Sequence, residues 1–268
     1  MRDRRRATCR AEPCGREAGV QAAVHVANGR SRTKQGNQEA LSRETSRRES
    51  RTLFMNLALF DFDGTVTSSD TWTPFMRFAL RLPRTLVGQV VMIPVVVGYR
   101  LGMVSASTGR QLAARVGFHG EDAATVRRLG VKYATTVLPG TVRQSALERI
   151  EWHKSQGDDV VVVSASLDVY LRPWCEKHDI AWICTTLEER DGSLTGKYVD
   201  GDCTGAEKVR RIRKRYELAQ YALVYAYGDS REDREMLELA HKKYYRWREI
   251  VSWDDVTAYD HPRARLIG

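Results

Sequence analysis

The sequence contains few cysteines, and their arrangement gives no sign of a metal site. There are five in 268 residues, an odd number, and their spacings match no zinc-binding pattern. We therefore expect reduced thiols in a cytoplasmic protein. The five positions are Cys9, Cys14, Cys175, Cys184 and Cys203.

Excess basic charge is scarce beyond the first part of the chain. The formal net charge is +9, but residues 1–54 contain 13 Lys and Arg against 6 Asp and Glu, a net of +7. Residues 55–268 therefore carry a net of only +2. This distribution argues against a nucleic-acid-binding face on a folded domain.

Residues 1–54 lack the apolar core of a secretory signal. They are rich in Arg, Ser, Glu and Gly, so we predict a disordered basic extension that cannot bury enough surface to fold. Their Arg and Ser content is faintly similar to a transit peptide, but they also carry acidic residues. Met55 immediately precedes the first predicted strand. We hypothesise that Met55 is the true start and that residues 1–54 are a mis-assigned upstream extension.

Long hydrophobic runs are also missing. The longest notable uncharged stretch, Thr85–Tyr99, has 15 residues and includes Gln89, Pro94 and two glycines. A helix needs about twenty apolar residues to cross a bilayer, so a span is disfavoured. Two interpretations stay open: a buried cap helix or helical hairpin, and a segment that dips into a membrane surface with arginines at the head groups. The flanking arginines are Arg77, Arg81, Arg84 and Arg100.

The strongest local signal is an acidic turn after an apolar run. Leu57–Phe60 leads directly into Asp61-Phe62-Asp63-Gly64-Thr65. Such a run predicts a buried strand of a parallel sheet, and ligands bind beyond the carboxyl ends of these strands. Two carboxylates this close repel each other unless a cation lies between them. Because Mg2+ prefers oxygen ligands and often a phosphate, the turn predicts a metal-assisted phosphate site with one nucleophilic and one acid–base carboxylate.

Further strands and polar signals alternate with helical patterns downstream, which predicts a parallel α/β sheet. Ser164 ends an apolar strand that begins at Val160, Lys208 lies on a basic helix, and Gly228-Asp229-Ser230-x-x-Asp233 follows a third apolar strand. We also predict a strand over 180–185, a hairpin over 189–198, a final strand over 244–247, and a patternless tail over 250–268. The polar signals would meet at one edge of the sheet.

The four motifs, in this order, resemble those of the haloacid dehalogenase-like hydrolases, specifically the phosphoserine-phosphatase-like branch of subfamily IB. The resemblance covers about residues 56–248. It implies a Rossmann-like parallel sheet with helices on both faces and a helical cap inserted after the first strand, at about 71–140. Residues 55–268 would then form the phosphatase domain. In the family, such a cap closes over the site, excludes water and selects the substrate.

The resemblance also implies a role for each motif residue. Asp61 would be the nucleophile that forms an aspartyl phosphate, and Asp63 the general acid and base. Mg2+ would be held by the Asp61 carboxylate, the Asp63 backbone carbonyl and Asp229. The residues that would bind the phosphoryl oxygens are Thr65, Ser164 and Lys208, and Asp233 would orient Lys208 or metal-bound water.

The substrate follows less directly from the sequence. Phosphoserine phosphatases use an acidic cap residue nine positions after the nucleophile for the substrate ammonium, and Asp70 occupies that position. Asp70 is a shorter carboxylate, and Ala165-Ser166 replaces a glycine-rich turn; both are departures from that activity. The apolar Thr85–Tyr99 segment resembles bacterial relatives that dephosphorylate phosphatidylglycerophosphate at a membrane. We therefore expect either a small amino-alcohol phosphate or a membrane lipid phosphate as substrate.

The sequence thus predicts a Mg2+-dependent phosphomonoester hydrolase. The alternatives are a phosphotransferase that uses the same aspartyl phosphate and a non-catalytic binding protein with this fold. The partner would be a phosphorylated small molecule or lipid, not nucleic acid, with peripheral membrane contact through residues 85–99 as a further hypothesis. That hypothesis would place a cytoplasmic protein at the inner face of the membrane.

Overall fold

The computed structural model describes residues 55–80 and 82–259, apart from the side chains of 82–89 and 257–259. The extension predicted for 1–54 lies outside these residues, as does Arg81. The predicted disorder of the extension and the alternative start at Met55 therefore stay predictions. Eight strands occur in the described part of the chain: β1 (Leu57–Phe60), β2 (Asp159–Leu167), β3 (Ala181–Thr185), β4 (Leu187–Arg190), β5 (Ser193–Tyr198), β6 (Val224–Gly228), β7 (Lys242–Tyr245) and β8 (Arg248–Ile250).

Six of the strands form the central sheet, in the order β3-β2-β1-β6-β7-β8. Every neighbouring pair is parallel except β7 and β8, which are antiparallel. The first strand, β1, lies between β2 and β6, so the ends of these three strands are adjacent. β4 and β5 form a separate antiparallel hairpin, as the Asp191-Gly192 turn predicts.

Helices cover both faces of this sheet. The described helices are α1 (Trp72–Ala79), α2 (Leu82–Arg100), α3 (Ala106–Phe118), α4 (Ala123–Thr136), α5 (Gln144–Ser155), α6 (Asp168–Lys177), α7 (Ala206–Arg215), α8 (Arg234–Leu239) and α9 (Asp254–Tyr259). Because successive side chains of a strand point to opposite faces, β1 contributes to two cores. Ala58 and Phe60 pack with α5 and α6, and Leu57 and Leu59 pack with α7 and α8.

The cap lies between β1 and β2 and consists of α1 to α4, so the predicted α/β fold with a helical cap is confirmed. Its buried side chains are continuous with the core on the α5–α6 face of the sheet, through Trp72, Phe75, Phe118 and Tyr133. Two of its helices begin at side-chain caps: Ser105 accepts from Thr108 N at 3.1 Å, and Asp122 accepts from Thr125 N at 2.7 Å.

The apolar segment predicted over 85–99 lies within α2, a single helix that contains Pro94. The helical-hairpin interpretation is therefore wrong. The buried interpretation is also wrong for the described side chains, because Val90, Ile93 and Val97 are 67%, 58% and 49% exposed. Within the described residues, none of the helices has the length and apolar content needed to cross a membrane.

The C-terminal part of the described chain is more ordered than the sequence predicts. The expected final strand is two antiparallel strands, β7 and β8, with Arg246 and Trp247 at positive φ in the turn between them. The predicted tail also contains α9, whose Val256 is buried against the α7–α8 side of the sheet. This one apolar anchor falls in a short polar segment, so periodicity gives no helix signal.

Candidate active site

The acidic turn after β1 lies against the end of β6. Asp61 N donates to Tyr227 O at 2.9 Å, which continues the parallel pairing of the two strands. The chain then turns over Phe62–Val66, where Asp63 and Gly64 have non-helical backbone angles and Gly64 has φ +81°. A Cβ on Gly64 would lie 2.2 Å from Asp229 Oδ2. Glycine is therefore required both by the backbone conformation and by the close approach of the Asp229 carboxylate.

Lys208 joins two of the predicted carboxylates. Its Nζ donates to Asp61 Oδ1 and to Asp233 Oδ1, at 2.6 Å each. Lys208 is 1% exposed, so its charge is compensated almost wholly by these two partners. α7 carries this lysine to the site, whereas Arg211 of the same helix bonds to the Cys184 carbonyl. The other basic residues of the helix are exposed: Arg210, Arg213, Lys214 and Arg215.

Burial sets the protonation behaviour of the site. Burial, and then the Asp233 carboxylate, raise the pKa of Asp61, while Lys208 opposes the rise. Burial and Asp233 likewise raise the pKa of Asp229 to about 6. Burial alone would lower the pKa of Lys208, but Asp233 and Asp61 outweigh it and raise that pKa. The lysine is thus a fixed cation, and its single charge can neutralise only one of the three neighbouring carboxylates.

Asp233 fixes the loop that carries Asp229. Its Oδ2 accepts from Asp229 N at 3.2 Å, Ser230 N at 3.1 Å and Ser230 Oγ at 3.0 Å. Together with the contact to Lys208, these bonds satisfy both oxygens of the buried carboxylate. Asp233 thus contacts Lys208 directly, and its role in orienting that lysine stays a prediction.

Three carboxylates are close enough to hold a metal ion. One oxygen each of Asp61, Asp229 and Asp233 lies within 4.8 Å of the others. All are hard oxygen donors, and when all three are ionised they carry two more negative charges than Lys208 neutralises. This donor set fits Mg2+. The Asp63 carboxylate is not part of the group, and the expected contribution of its backbone carbonyl stays a prediction.

Ser164 and Thr65 are buried beside these residues. Ser164 is 1% and Thr65 2% exposed. Ser164 Oγ accepts from Ser166 N at 3.0 Å, so its hydroxyl hydrogen stays available as a donor. Thr65 Oγ1 has no hydrogen-bond partner among the described residues, although it is buried. Buried hydroxyls without partners are costly, and a bound phosphoryl group would supply acceptors for them.

The Asp63 carboxylate points away from Lys208 toward the cap. Its Oδ1 accepts from Thr71 N at 2.9 Å and from Thr71 Oγ1 at 2.5 Å, and its Oδ2 accepts from Ser166 Oγ at 2.7 Å. Burial raises the pKa of Asp63 to about 6, with the Thr71 and Ser166 hydrogen bonds opposing the rise. The second carboxylate of the motif therefore has an environment of its own, as distinct acid–base and nucleophilic roles require.

Asp70 lies at the start of α1 and caps it. Its Oδ1 accepts from Trp72 N at 3.0 Å and its Oδ2 from Thr73 N at 3.2 Å. Asp70 therefore stabilises the N-terminus of α1. Its role in substrate selection stays a prediction, since both carboxylate oxygens already accept backbone hydrogen bonds in this structure.

Several residues at the site were not singled out from the sequence. Ser166 had one available signal, because residues two apart on a strand face the same side and Ser164 was already a candidate. Thr71 and Arg110 gave no sequence signal. Arg110 of α3 donates to Asp202 Oδ2 at 2.9 Å and to Glu232 Oε1 at 3.1 Å, so the cap reaches loops on either side of Lys208 and Asp233.

A parallel α/β sheet with a nucleophile-and-lysine cluster at its carboxyl edge, under a helical cap, defines a hydrolase of the phosphatase type. Residues 58–238 match the family model described as haloacid dehalogenase-like hydrolase. The chain belongs to that family, so the resemblance seen in its four motifs is confirmed.

The individual relatives have low sequence identity to this chain. Protein CicA of Caulobacter vibrioides (strain NA1000 / CB15N) is 28% identical over 196 residues, which cover 71% of this chain and 85% of that protein. A protein of unknown function from Bordetella pertussis Tohama I has a similar structure, with a TM-score of 0.61, 21% identity, and coverage of 71% of this chain and 89% of its own. A substrate-bound phosphoserine phosphatase also has a similar structure, with a TM-score of 0.52 and 19% identity. The match covers 76% of this chain and 98% of that protein's chain. These two structures support the fold.

Proposed function

We propose that the protein is a Mg2+-dependent phosphomonoester hydrolase that works through an aspartyl phosphate on Asp61. The observation that carries the proposal is the paired placement of the two aspartates. Asp61 is bonded to the buried cation Lys208, while Asp63, two residues away, is held separately by hydroxyl groups. Lys208 favours the ionised, nucleophilic form of Asp61, whereas the hydroxyl partners of Asp63 suit a carboxyl group that exchanges protons.

The reaction proceeds in two displacements. An Asp61 carboxylate oxygen bonds to phosphorus as the ester P–O bond breaks, and the leaving alkoxide takes the proton of Asp63. The Asp63 carboxylate then accepts a proton from water as that water attacks phosphorus. The acyl phosphate P–O bond breaks, which returns Asp61 as a carboxylate and releases inorganic phosphate.

The remaining residues position and neutralise the phosphoryl group. Ser164 and Thr65 would donate hydrogen bonds to its oxygens, and Lys208 would offset their charge. Asp61, Asp229 and the Asp63 carbonyl would hold Mg2+, which supplies the additional positive charge that the cluster needs when the phosphate dianion binds. Replacement of Asp61 by Asn tests this account, because an amide is not a nucleophile: turnover should be abolished.

A phosphotransferase would use the same residues and differ only in the acceptor of the second step. Added alcohols would then be phosphorylated in place of water, and product analysis distinguishes the two outcomes. A non-catalytic binding protein is disfavoured, because both aspartates are present, with Asp61 in contact with Lys208 and Asp63 held by hydroxyl groups.

The two substrate classes expected from the sequence are favoured by different parts of the cap. Asp70 would have to release its helix-capping bonds to hold a substrate ammonium. The exposed apolar side of α2 needs no rearrangement to meet a lipid surface. We therefore favour a membrane lipid phosphate over a small amino-alcohol phosphate as substrate.

The apolar surface of α2 is defined by large side chains that are 46% to 79% exposed. Val90, Ile93, Val97 and Leu101 follow the helical spacing of a single face, while Val95 on the other side approaches Gly109 of α3. Among the described side chains, the exposed apolar surface thus extends beyond the predicted 85–99 segment to Met103. The exposed members are Val90, Val91, Ile93, Val96, Val97, Tyr99, Leu101 and Met103.

The charge of the surrounding sequence indicates which kind of partner would cover the apolar surface of α2. Residues 71–120 contain six arginines and no Asp, Glu or Lys. An anionic bilayer complements such a region, since apolar side chains enter the head-group boundary while arginines meet lipid phosphates. A second copy of the chain would instead bring two acid-free, arginine-bearing regions together, which is unfavourable. We therefore propose an anionic membrane as the partner of this surface, at the cytoplasmic face.

Vesicle sedimentation tests the membrane contact. Full-length protein should sediment with vesicles containing phosphatidylglycerol and much less with pure phosphatidylcholine. Val97→Glu should lose this binding, whereas Val131→Glu on α4, equally exposed at 49%, is the matched control and should keep it. Equal sedimentation of both variants would refute the contact. A dimer that only Val97→Glu dissociates would assign the surface to a second copy instead.

A substrate panel tests the choice of substrate. Phosphate release by the full chain with Mg2+ should be fastest for phosphatidylglycerophosphate in mixed micelles, compared with phosphoserine and histidinol phosphate. Selective turnover of phosphoserine or histidinol phosphate would contradict the lipid assignment and return the ammonium-binding role to Asp70.

A further inference from the structure

The general acid of the proposed reaction is held from two separate parts of the fold. Thr71, the residue before α1, binds Asp63 Oδ1 through both its backbone N–H and its hydroxyl, and Ser166 near the end of β2 binds Oδ2. Thr71 and Ser166 are both 0% exposed. Two donors on different oxygens fix the rotation of a carboxylate, which one donor would leave free.

Ser166 also connects the acid to the phosphate pocket. Its N–H donates to Ser164 Oγ at 3.0 Å, while its own hydroxyl donates to Asp63. Thr71 Oγ1 lies 3.3 Å from Ser166 Oγ and 3.2 Å from the buried hydroxyl of Tyr170. The backbone and side chain of one residue thus set the relative positions of a phosphate ligand and the acid.

The chemical type of these contacts suits a group that changes protonation in every cycle. A hydroxyl both donates and accepts, so Ser166 can donate to the Asp63 carboxylate and, after rotation, accept from the carboxylic acid. A lysine or arginine in the same place would bind only the ionised form and would disfavour the acid. The hydroxyl contacts can therefore persist in both protonation states of Asp63.

We propose that Ser166 is a positioning residue for Asp63, assisted by the hydroxyl of Thr71. It keeps the acid aligned with the leaving-group oxygen of a phosphate bound at Ser164. This inference rests on the proposed hydrolase function. It extends that function by adding two hydroxyl residues that act through Asp63 and do not themselves touch the reacting atoms.

Leaving-group dependence tests the role. An alkyl phosphate such as phosphatidylglycerophosphate in mixed micelles needs its leaving oxygen protonated, whereas p-nitrophenyl phosphate has a leaving group that departs largely unaided. Ser166→Ala should lower kcat/KM for the alkyl phosphate about 10- to 100-fold and that for p-nitrophenyl phosphate much less. Ser166→Thr, which keeps a hydroxyl, should restore most of the loss. Ser145→Ala, an exposed serine on α5, is the control and should change neither substrate.

A double-mutant comparison separates alignment from general damage. On an Asp63→Asn background, Ser166→Ala should cause no further loss, because the group it aligns is already gone. Thr71→Val, which retains the backbone N–H, gives an independent variant with the same expected leaving-group pattern if Ser166→Ala fails to fold. An equal loss on both substrates, or a further loss in the Asp63→Asn background, would overturn the proposal.

The two proposals fail in different ways. Retained turnover by Asp61→Asn would overturn the hydrolase mechanism itself. An inactive Asp61→Asn together with a Ser166→Ala variant that shows no leaving-group preference would overturn only the positioning role.

Discussion

Arg110 of the cap and Asp202 of the core form an ion pair, with Nη2 and Oδ2 2.8 Å apart and side-chain exposures of 19% and 1%. Asp202 also accepts from Thr185 Oγ1 at 3.1 Å, and Arg110 extends to Glu232, the residue before Asp233. The contact therefore joins α3 to the segments on either side of the catalytic cluster. It is the kind of link through which the position of a cap affects a site beneath it.

Removal of this arginine should destabilise the fold. Arg110→Met leaves the buried Asp202 carboxylate without its cation, which should lower the free energy of unfolding by about 3 kcal/mol. The matched control is Arg172→Met, since the Arg172–Glu176 pair is 61% and 48% exposed and should contribute less than ~1 kcal/mol. Urea denaturation measures both. Equal stability of the two variants would show that the cap–core pair is screened like a surface pair.

Replacement of Lys208 should reduce activity through loss of a fixed charge. Lys208→Met should lower kcat about 100- to 1,000-fold, because a preorganised cation at the phosphoryl oxygens is lost and Asp61 faces Asp233 without a partner. Lys214→Met, an exposed lysine of the same helix, is the control and should leave kcat unchanged. Steady-state phosphate release measures both. A Lys208→Met enzyme with wild-type kcat would remove this lysine from the mechanism.

The stabilising effect of Mg2+ should depend on pH. In the metal-free protein the pKa of Asp229 is about 6, above the usual 3.8, so this carboxyl lowers stability as pH rises between those values. Mg2+ competes with that proton, and its stabilisation should therefore be larger at about pH 7.5 than at about pH 5. Thermal unfolding with and without Mg2+ measures the difference.

A matched pair of variants assigns this pH effect to the site. Asp229→Asn should abolish most of the Mg2+-induced rise in Tm at both pH values. Asp191→Asn in the exposed hairpin turn, whose φ of 51° suits Asn, should retain the full rise. A rise in Tm that is unchanged in Asp229→Asn would place the ion elsewhere.

The sequence predicted those strands in which a continuous apolar run ends at polar residues. β1 and the Asp61–Asp63 turn were visible because an uninterrupted apolar strand ends in two carboxylates. Lys208 could be picked from a run of basic residues only through the order of the motifs, since helical position alone does not tell a buried lysine from a solvated one.

Other features depend on contacts between distant segments. The Ser166 hydroxyl meets Asp63 across 103 residues and Arg110 meets Glu232 across 122, so neither partner can be read from local spacing. The apolar character of α2 was evident in the sequence, but its exposure was not. Hydropathy alone does not say whether a second layer of the protein covers a helix.

The identity of the phosphorylated residue tests the central claim most directly. With p-nitrophenyl phosphate, Asp63→Asn should still form the phosphoenzyme, since that leaving group needs little protonation, but should hydrolyse it slowly without its base. Mass spectrometry of the acid-quenched, digested variant should then find phosphate on Asp61. Phosphate on another residue, or a phosphorylated Asp61→Asn/Asp63→Asn double variant, would contradict the account.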